Sequence, residues 1–377
     1  MTIYLFVTHP VQYHVPWFQE LAKRHSLTVF FYYQPTPHEQ GAGFGKAFTW
    51  DVPLLNGYEH AFLNLPKFLN RFFVSSSRLD RMALPDSVIL TGWGHFADFQ
   101  LLNYFKRKNI PVIIRGESNA LKPRSFFKKI IHRSFIKKFD AYLAIGEANR
   151  RFYLEHGTQP QKIFKAPYFV ENERISNQFN NDARLRSQIR RKWNIPEQSF
   201  CFLYMGKLEP KKRIMDILKA LQTLNSRQGH FLVAGDGELM KNAKDYTAQN
   251  NLPVTFAGFV NQTQITQAYA AADCIILPSD YGETWGLVIN EAMVCGLPAI
   301  VSDRVGCSWD LIQENKTGFT FPFGDVQALS EKMQLMMNEP KKAHEMGENA
   351  KGLIQKYSVE STVLATGEAI QFVQKGL

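Results

Sequence analysis

The feature that most narrows the fold of this chain is a repeated alternation of short β-branched or aromatic runs with stretches of helical period. In the first half, strands are predicted at residues 3–7, 27–32, 88–91, 112–115 and 141–145. Amphipathic stretches lie between several of them, among them 17–24, opened by Pro16, and 96–108. The second half repeats the scheme, with strands at 200–205, 230–234, 254–257, 274–277, 299–301 and 318–321. Helices are predicted there at 214–225, 238–250, 262–271, 286–295 and 326–337. Alternation of this kind builds parallel sheets covered by helices, so the reading is α/β with two Rossmann-like, doubly wound domains. At 377 residues the chain can bury two cores. The seam is expected near 167–174, dividing residues 1–171 from 172–356, with a polar linker at 172–194 running into a helix. Two such domains facing each other would set the carboxyl ends of both sheets around one cleft.

Composition narrows the class further. Hydrophobic residues make up 45 % and charged residues 21 %, a globular balance and not that of a disordered chain. The opening run Met-Thr-Ile-Tyr-Leu-Phe-Val stops at Thr8-His9-Pro10 with no basic residues before it, so no secretory leader is expected. No apolar stretch approaches the ~20 residues of a spanning helix. The expectation is a cytoplasmic protein, free or peripheral at the inner face of a membrane. Cys201, Cys274, Cys295 and Cys307 form no C-x-x-C pair. They read as free buried thiols, and no metal is expected. The net charge of +10 is uneven. Residues 1–171 hold 22 Lys and Arg against 12 Asp and Glu, whereas 172–377 hold 22 of each, so all the excess lies in the first half. That half calls for an anionic partner, whether nucleic acid, a phospholipid surface or an anionic acceptor.

Two segments of the second half carry chemistry. A strand ending at Leu277 runs into Pro278-Ser-Asp-Tyr-Gly-Glu283, then a helix opening at Gly286-Leu287-Val288 and closing at Gly296-Leu-Pro298. Glycine at a helix start lets the backbone approach a ligand, and the free first-turn amides favour an anion such as a diphosphate. Glu283 stands in the loop, and Glu291, more than a turn inside the helix, is within reach of a hydroxyl pair such as a ribose. Taken alone, both carboxylates read more simply as surface charges. The second segment shifts that balance. Strand 200–205 ends in Gly206-Lys207-Leu-Glu-Pro-Lys211-Lys212-Arg213, and Lys207 and Lys212 can clamp a diphosphate and stabilise a departing anion without a metal. Gly235-Asp-Gly237 is no dinucleotide fingerprint, because the third glycine position holds Met240.

Taken in order, five segments resemble the family-4 retaining glycosyltransferases of the GT-B fold over roughly residues 200–335. They are Gly206-Lys207…Lys212, Val233-Ala-Gly235-Asp-Gly237, Phe256-Ala-Gly258-Phe259, Glu283…Glu291-Ala-Met…Gly296-Leu-Pro298 and Gly318-Phe319. The resemblance implies a GT-B architecture with a C-terminal helix, within 357–377, that crosses back onto the N-terminal domain. It implies that Glu283 binds hydroxyls of a donor sugar and Glu291 the ribose of its nucleotide. Lys207, where the family usually has Arg, and Lys212 would neutralise the donor diphosphate. The amides around Gly286, Leu287 and Val288 would hold the same phosphates, and Gly258 and Phe259 would pass near the base. Gly206 and Gly235 belong to the same donor-binding set. Trp285 stands where Phe is commoner.

The N-terminal half departs from the family at the places that matter for an acceptor. Its usual glycine-rich loop after the first strand is replaced by Thr8-His9-Pro10-Val-Gln12-Tyr13-His14. His9, Gln12 and His14 leave the strand at its ligand-binding end and are candidate acceptor contacts, although His14 is equally a cap for the helix that follows. Where the family often has a His, the chain reads Ile114-Arg115-Gly116-Glu117-Ser118. Glu117 could bind a sugar hydroxyl or assist the acceptor's proton, with Arg115 holding it, or the two could form a structural ion pair. Trp93, in Gly92-Trp93-Gly94-His95, could add an acceptor platform. The run from Lys122 to Lys138 is a basic amphipathic helix, with Phe127, Ile130, Ile131, Ser134 and Phe135 at helical spacing. It reads either as a core-packed helix with a solvated basic face or as a peripheral membrane contact.

The function expected is a retaining, metal-independent hexosyltransferase acting in polysaccharide biosynthesis. It would move a sugar from a nucleoside-diphosphate sugar, a UDP-sugar on family grounds, to a glycan, lipid-linked or small-molecule acceptor, with no cofactor. Two alternatives remain: a sugar-nucleotide epimerase-like enzyme on the same fold, and a non-catalytic basic protein binding nucleic acid. The latter would bind DNA or RNA in a salt-sensitive way. The intact donor motifs argue against a nucleic-acid partner.

Overall fold

The structure, a computed structural model, describes residues 1–377 except 46, 69–70, 180–182, 225–227 and 376–377. The chain forms two compact units. The first comprises Met1–Thr36, Pro53–Phe169 and Ser358–Leu377, and the second Pro37–Val52 and Val170–Tyr357. The expected division placed all of 1–171 in the first domain. Pro37–Val52 departs from it, because the contacts of this segment fall on the second unit.

In the first unit, β1 (Thr2–Val7), β2 (Ser26–Phe31), β3 (Glu59–Phe62), β6 (Ser87–Leu90), β7 (Val112–Ile114), β8 (Ala141–Ala144) and β9 (Ile163–Lys165) are strands of one parallel sheet. Their order among the described residues is β3-β2-β1-β6-β7-β8-β9. A short antiparallel hairpin, β4 (Lys67–Phe68) and β5 (Arg71–Phe72), stands apart from it. The period of two in β1 sends side chains to both faces. Ile3, Leu5 and Val7 join a core with Trp17, Phe18 and Leu21, while Tyr4 and Phe6 join another with Leu101 and Phe105. A sheet covered on both faces is what the alternation of strand and helix demands. The C-terminal helix Val359–Lys375 packs into the first of these cores through Val363, Ala369 and Ile370, and Trp17 Nε1 donates to Thr366 Oγ1 at 3.2 Å. The return of this helix to the first unit, implied by the resemblance, is therefore seen.

The second unit holds β10 (Phe200–Met205), β11 (Gly229–Ala234), β12 (Val254–Gly258), β13 (Cys274–Leu277), β14 (Ala299–Ser302) and β15 (Gly318–Phe321). They pair in parallel in the order β12-β11-β10-β13-β14-β15. Phe202 and Tyr204 pack against Ile214, Ile217 and Leu221 of the helix Ile214–Thr223, whose predicted end at Asn225 lies outside the described residues. All four cysteines are free and buried, and burial pushes the Cys201 thiol up to about 12.

Two expectations need correction. Residues 172–194 are not a linker, since they form the helices Asn172–Gln178 and Ala183–Lys192, with 180–182 outside the described residues. Arg190 is 2 % exposed and, with Arg186, grips Asp273 at 2.7 and 2.6 Å, so two of the segment's charges tie its helix to the start of β13. The basic helix, Phe126–Ile136, is core-packed only at its end, where Phe135 meets Phe139 and Trp93, and not along the rest of its apolar face. Ile136 is buried, but Phe126, Phe127, Ile130 and Ile131 are 72, 77, 51 and 65 % exposed.

Candidate active site

In the second sheet the strand order turns back between β10 and β13, and ligands of open parallel sheets bind beyond the carboxyl ends of strands at such a point. The loops leaving these two strands are the ones that carry Lys207, Lys212 and Glu283. Asp280 N donates to Lys211 O at 3.0 Å and stitches the two loops together. Lys212 and Glu283 form an ion pair across them, their side chains only 18 and 16 % exposed, and Ser279 Oγ donates to the same carboxylate at 3.4 Å. The backbone behind Glu283 is fixed as well, with Gly306 N donating to its carbonyl at 3.1 Å.

Lys207 follows Gly206 at the tip of β10, where Tyr204 donates through its hydroxyl to the Lys207 carbonyl at 2.6 Å. Burial lowers the pKa of Lys207, with neighbouring Glu209 opposing the shift. Gly206 N and Gly235 N donate to the carbonyls of Ala234 and Gly258 at 3.0 and 2.8 Å, so three of the donor-motif glycines line adjacent strand ends. Gly286 takes φ +103° as it opens the helix Leu287–Val294, and a Cβ there would stand 2.7 Å from Leu277 Cδ2. Glycine is needed at that turn if the first-turn amides of Leu287 and Val288 are to face the strand end. Trp285 is buried and donates through Nε1 to Asn290 at 2.8 Å, a packing role for the position where the resemblance expects Phe.

Glu291 is not a solvated helix residue. It is 1 % exposed and accepts a hydrogen bond from the Tyr269 hydroxyl at 2.6 Å. A buried carboxylate has to be held by donors, and Tyr269, twenty-two residues away, was not legible as one.

The candidate acceptor residues belong to the first unit and follow β1, β6 and β7. Arg115, 3 % exposed, lies between two rings, 5.0 Å from the centre of Trp17 and 4.9 Å from that of Tyr168, and donates to Pro167 O at 3.3 Å. Tyr168 in turn donates to Glu117, so this tyrosine joins the Arg115 and Glu117 that sequence singled out. The His14 ring stacks parallel to Tyr168 at 6.4 Å. His14 occupies the cap position of the helix Val15–Ala22 but makes no side-chain cap bond, so the capping alternative fails. Burial, then Arg115 and His9, push its pKa down to about 3, which keeps the ring neutral. Gln12 is 6 % exposed, and its Oε1, His14 Nδ1 and Arg115 Nε are buried without a hydrogen-bond partner among the described residues. His9 packs on Tyr33 at 5.5 Å. Trp93 is half-buried, with His132 at 4.7 Å, Phe135 at 5.8 Å and Phe152 at 6.1 Å from its ring. Sequence reasoning missed Tyr168, although it follows β9 in the short run Ala-Pro-Tyr-Phe-Val, at the same end of the sheet.

Comparison with known proteins bears on both units. Anabaena HepE in complex with UDP superposes with a TM-score of 0.77 at 16 % identity, covering 98 % of this chain and all of that one. A glycosyltransferase from Rickettsia africae gives 0.76 at 17 % identity, covering 100 % of this chain and 99 % of that one. The pair of Rossmann-like α/β units is thus that of the GT-B fold. Among sequence relatives, the sulfoquinovosyl transferase of Arabidopsis thaliana is 31 % identical over 188 residues, 48 % of this chain and 35 % of the relative. The N-acetyl-alpha-D-glucosaminyl L-malate synthase of Bacillus anthracis is 24 % identical over 219 residues, 57 % of this chain and 55 % of the relative. The chain therefore spans about a third to about half of the length of these two relatives. Residues 186–353, which carry Lys207, Lys212, Glu283 and Glu291, match the family described as glycosyl transferases group 1.

Proposed function

We propose that the protein is a retaining glycosyltransferase that takes its sugar from a nucleoside-diphosphate donor, with a UDP-sugar favoured. The observation that carries the reading is the Lys212–Glu283 ion pair at the turning point of the second sheet, with Lys207 on the same loop as Lys212, within the group 1 stretch. Two lysines and the amides at Leu287 and Val288 supply positive potential for a leaving diphosphate without a metal or cofactor. Glu283 accepts hydrogen bonds from donor sugar hydroxyls, and Glu291 serves the ribose. In the reaction, the bond from the sugar's anomeric carbon to the phosphate oxygen breaks, and one to the acceptor oxygen forms on the same face. The acceptor proton leaves with the departing phosphate. UDP is favoured because the similar Anabaena HepE has been seen with UDP, and with UDP and glucose. The acceptor belongs to the cluster of Gln12, His14, Arg115, Glu117 and Tyr168, where the buried Gln12 Oε1, His14 Nδ1 and Arg115 Nε, without a hydrogen-bond partner among the described residues, suit a hydroxyl-rich ligand. A thermal-shift panel of nucleoside diphosphates and nucleotide sugars tests the donor. Stabilisation by UDP and UDP-sugars is expected, and no response to any nucleotide would overturn the assignment.

A second reading concerns where the enzyme works. No helix of the described residues is long and apolar enough to cross a membrane. The exposed Phe126, Phe127, Ile130 and Ile131 nevertheless stand among Lys122, Arg124, Lys128, Lys129, Arg133, Lys137 and Lys138. An apolar strip flanked by cations fits the interface of an anionic bilayer, where a lipid-linked acceptor would be met. A second copy of the chain would bring like charge against like, which disfavours self-association there. Co-sedimentation with phosphatidylglycerol-containing vesicles, but not with pure phosphatidylcholine vesicles, is expected for the wild type and not for Phe127→Ser/Ile131→Ser. Equal sedimentation of the two proteins would sink the idea.

A further inference from the structure

The donor reading leaves one glycine-rich segment unused, Gly41-Ala-Gly43-Phe44-Gly45. It lies within Pro37–Val52, which comes from the first half of the sequence but clusters with the second unit. Its contacts fall on one donor motif after another. Lys207 Nζ donates to the Ala42 carbonyl and lies 5.0 Å from the centre of the Phe44 ring. Gly43, at φ +87°, is pressed against the same lysine. A Cβ on Gly43 would stand 2.8 Å from Lys207 Cδ and 2.3 Å from Glu209 Oε1. Phe44 and Phe48 pack on Phe259 with ring centres 4.9 and 4.6 Å away. Further along, Asn261 Nδ2 donates to Thr49 O at 3.3 Å, and Thr263 donates to Asp51 through its amide at 3.2 Å and its hydroxyl at 2.5 Å.

A lysine on a four-carbon stem gives up rotamer freedom when it binds a phosphate. A carbonyl acceptor and a ring face that fix the ammonium beforehand remove part of that cost, and only one of its three N–H donors is taken by Ala42. The glycine at 43 allows the backbone to come this close. We propose that residues 41–45 and 47–51 form a strap that is one wall of the donor site, with Gly43 and Phe44 as positioning residues that hold Lys207 ready for the diphosphate. The proposal rests on the donor reading above. It also accounts for a departure of this chain from the family pattern: the glycine-rich loop expected after β1 is missing, and a glycine-rich segment after β2 meets the donor lysine instead.

The test is calorimetric titration of the full chain with UDP, GDP and ADP, carrying the tightest of the three forward. Phe44→Leu is expected to raise Kd about three- to ten-fold, through the lost cation–ring attraction and the lost pre-positioning. Gly43→Ala, whose added methyl is strained at φ +87° and meets Lys207 and Glu209, is expected to raise it by at least as much. The decisive measurement repeats Phe44→Leu in a Lys207→Met background. A residue acting through Lys207 has nothing left to position there, so the change in Kd should shrink to less than about two-fold. A segment that merely packs would weaken binding by the same factor in both backgrounds. That result, or a silent Phe44→Leu in the wild-type background, overturns the strap while leaving the donor site standing. Failure of the wild type to bind any of the three nucleotides overturns the donor reading, and the strap with it.

Discussion

Breaking the pair between Lys212 and Glu283 should separate the stability it provides from the chemistry it serves. The two side chains are 18 and 16 % exposed, so removing one charge strands the other in a site that is mostly closed to water. For fully buried pairs that costs ~3–5 kcal/mol. The remaining exposure, and the lysine stem's ability to reach water, reduce it here to about 1.5–3 kcal/mol. In a unit of this size such a loss lowers the unfolding temperature by roughly 3–12 °C. Lys212→Met and Glu283→Gln should both show it in scanning calorimetry, whereas Lys212→Met/Glu283→Gln, with neither charge left, should recover most of it. Transfer activity should follow a different order. All three variants are expected to lose on the order of 10²–10³-fold, because the proposed reaction needs the cation at the leaving group and the carboxylate at the sugar. A double variant as unstable as the sum of its singles would refute the pairing argument, and near-wild-type turnover in any variant would refute the site.

Two further predictions concern the scaffold. His14 is held neutral, with its pKa pushed from 6.5 to about 3 by burial and by Arg115 and His9. The unfolded chain takes up a proton near pH 6.5 and the folded chain does not until about pH 3. The stability tied to His14 is therefore intact above pH 6.5 and falls as the pH drops below it, by at most ~1.4 kcal/mol per pH unit. His14→Gln should flatten the fall in urea midpoint between pH 6.5 and 5, and parallel curves for variant and wild type would exclude His14 as its source. Gly286→Ala forces a side chain into φ +103° and against Leu277. It should cost about 2–4 kcal/mol in denaturant unfolding, and a cost below ~0.5 kcal/mol would show that the helix start is not constrained as described.

How much of this was legible in the sequence depended on whether a residue's partner was near it in the chain. β10, β13 and β15 were read with their observed bounds because they are apolar runs closed by turn residues. β3 and β9, the edges of the first sheet, were missed: Glu59, His60 and Lys165 are exposed, and an edge strand has no need of a continuous apolar run. The basic helix was read correctly as amphipathic, but periodicity cannot say whether its apolar face finds a neighbour. In the site, Lys207, Lys212 and Glu283 were visible because strand ends and glycines mark the loops that carry them. Tyr269, Tyr168 and the strap of 41–45 and 47–51 were not, since their roles come from contacts with residues 22 to more than 160 positions away.

The two carboxylates of the second unit began as equivalents and end with different partners, which yields a sharper test of their roles. Glu291 accepts a hydrogen bond from a hydroxyl, that of Tyr269. Glu283 is held by Lys212, a cation that a diphosphate would compete for. On the proposed donor reading, binding of the diphosphate is an exchange, in which Lys212 turns to the phosphate and Glu283 is released to accept hydrogen bonds from the sugar. A nucleoside diphosphate carries no sugar and draws no benefit from Glu283, yet it competes with that carboxylate for Lys212 and is repelled by it. Glu283→Gln should therefore bind UDP about three- to ten-fold more tightly than the wild type, the scale of one charge–charge contact in a partly wet site, even as transfer from the intact donor collapses. Calorimetry with UDP, alongside a transfer assay, reads both. If UDP affinity falls together with turnover, Glu283 supports the phosphate side directly, and the exchange is not how this site works.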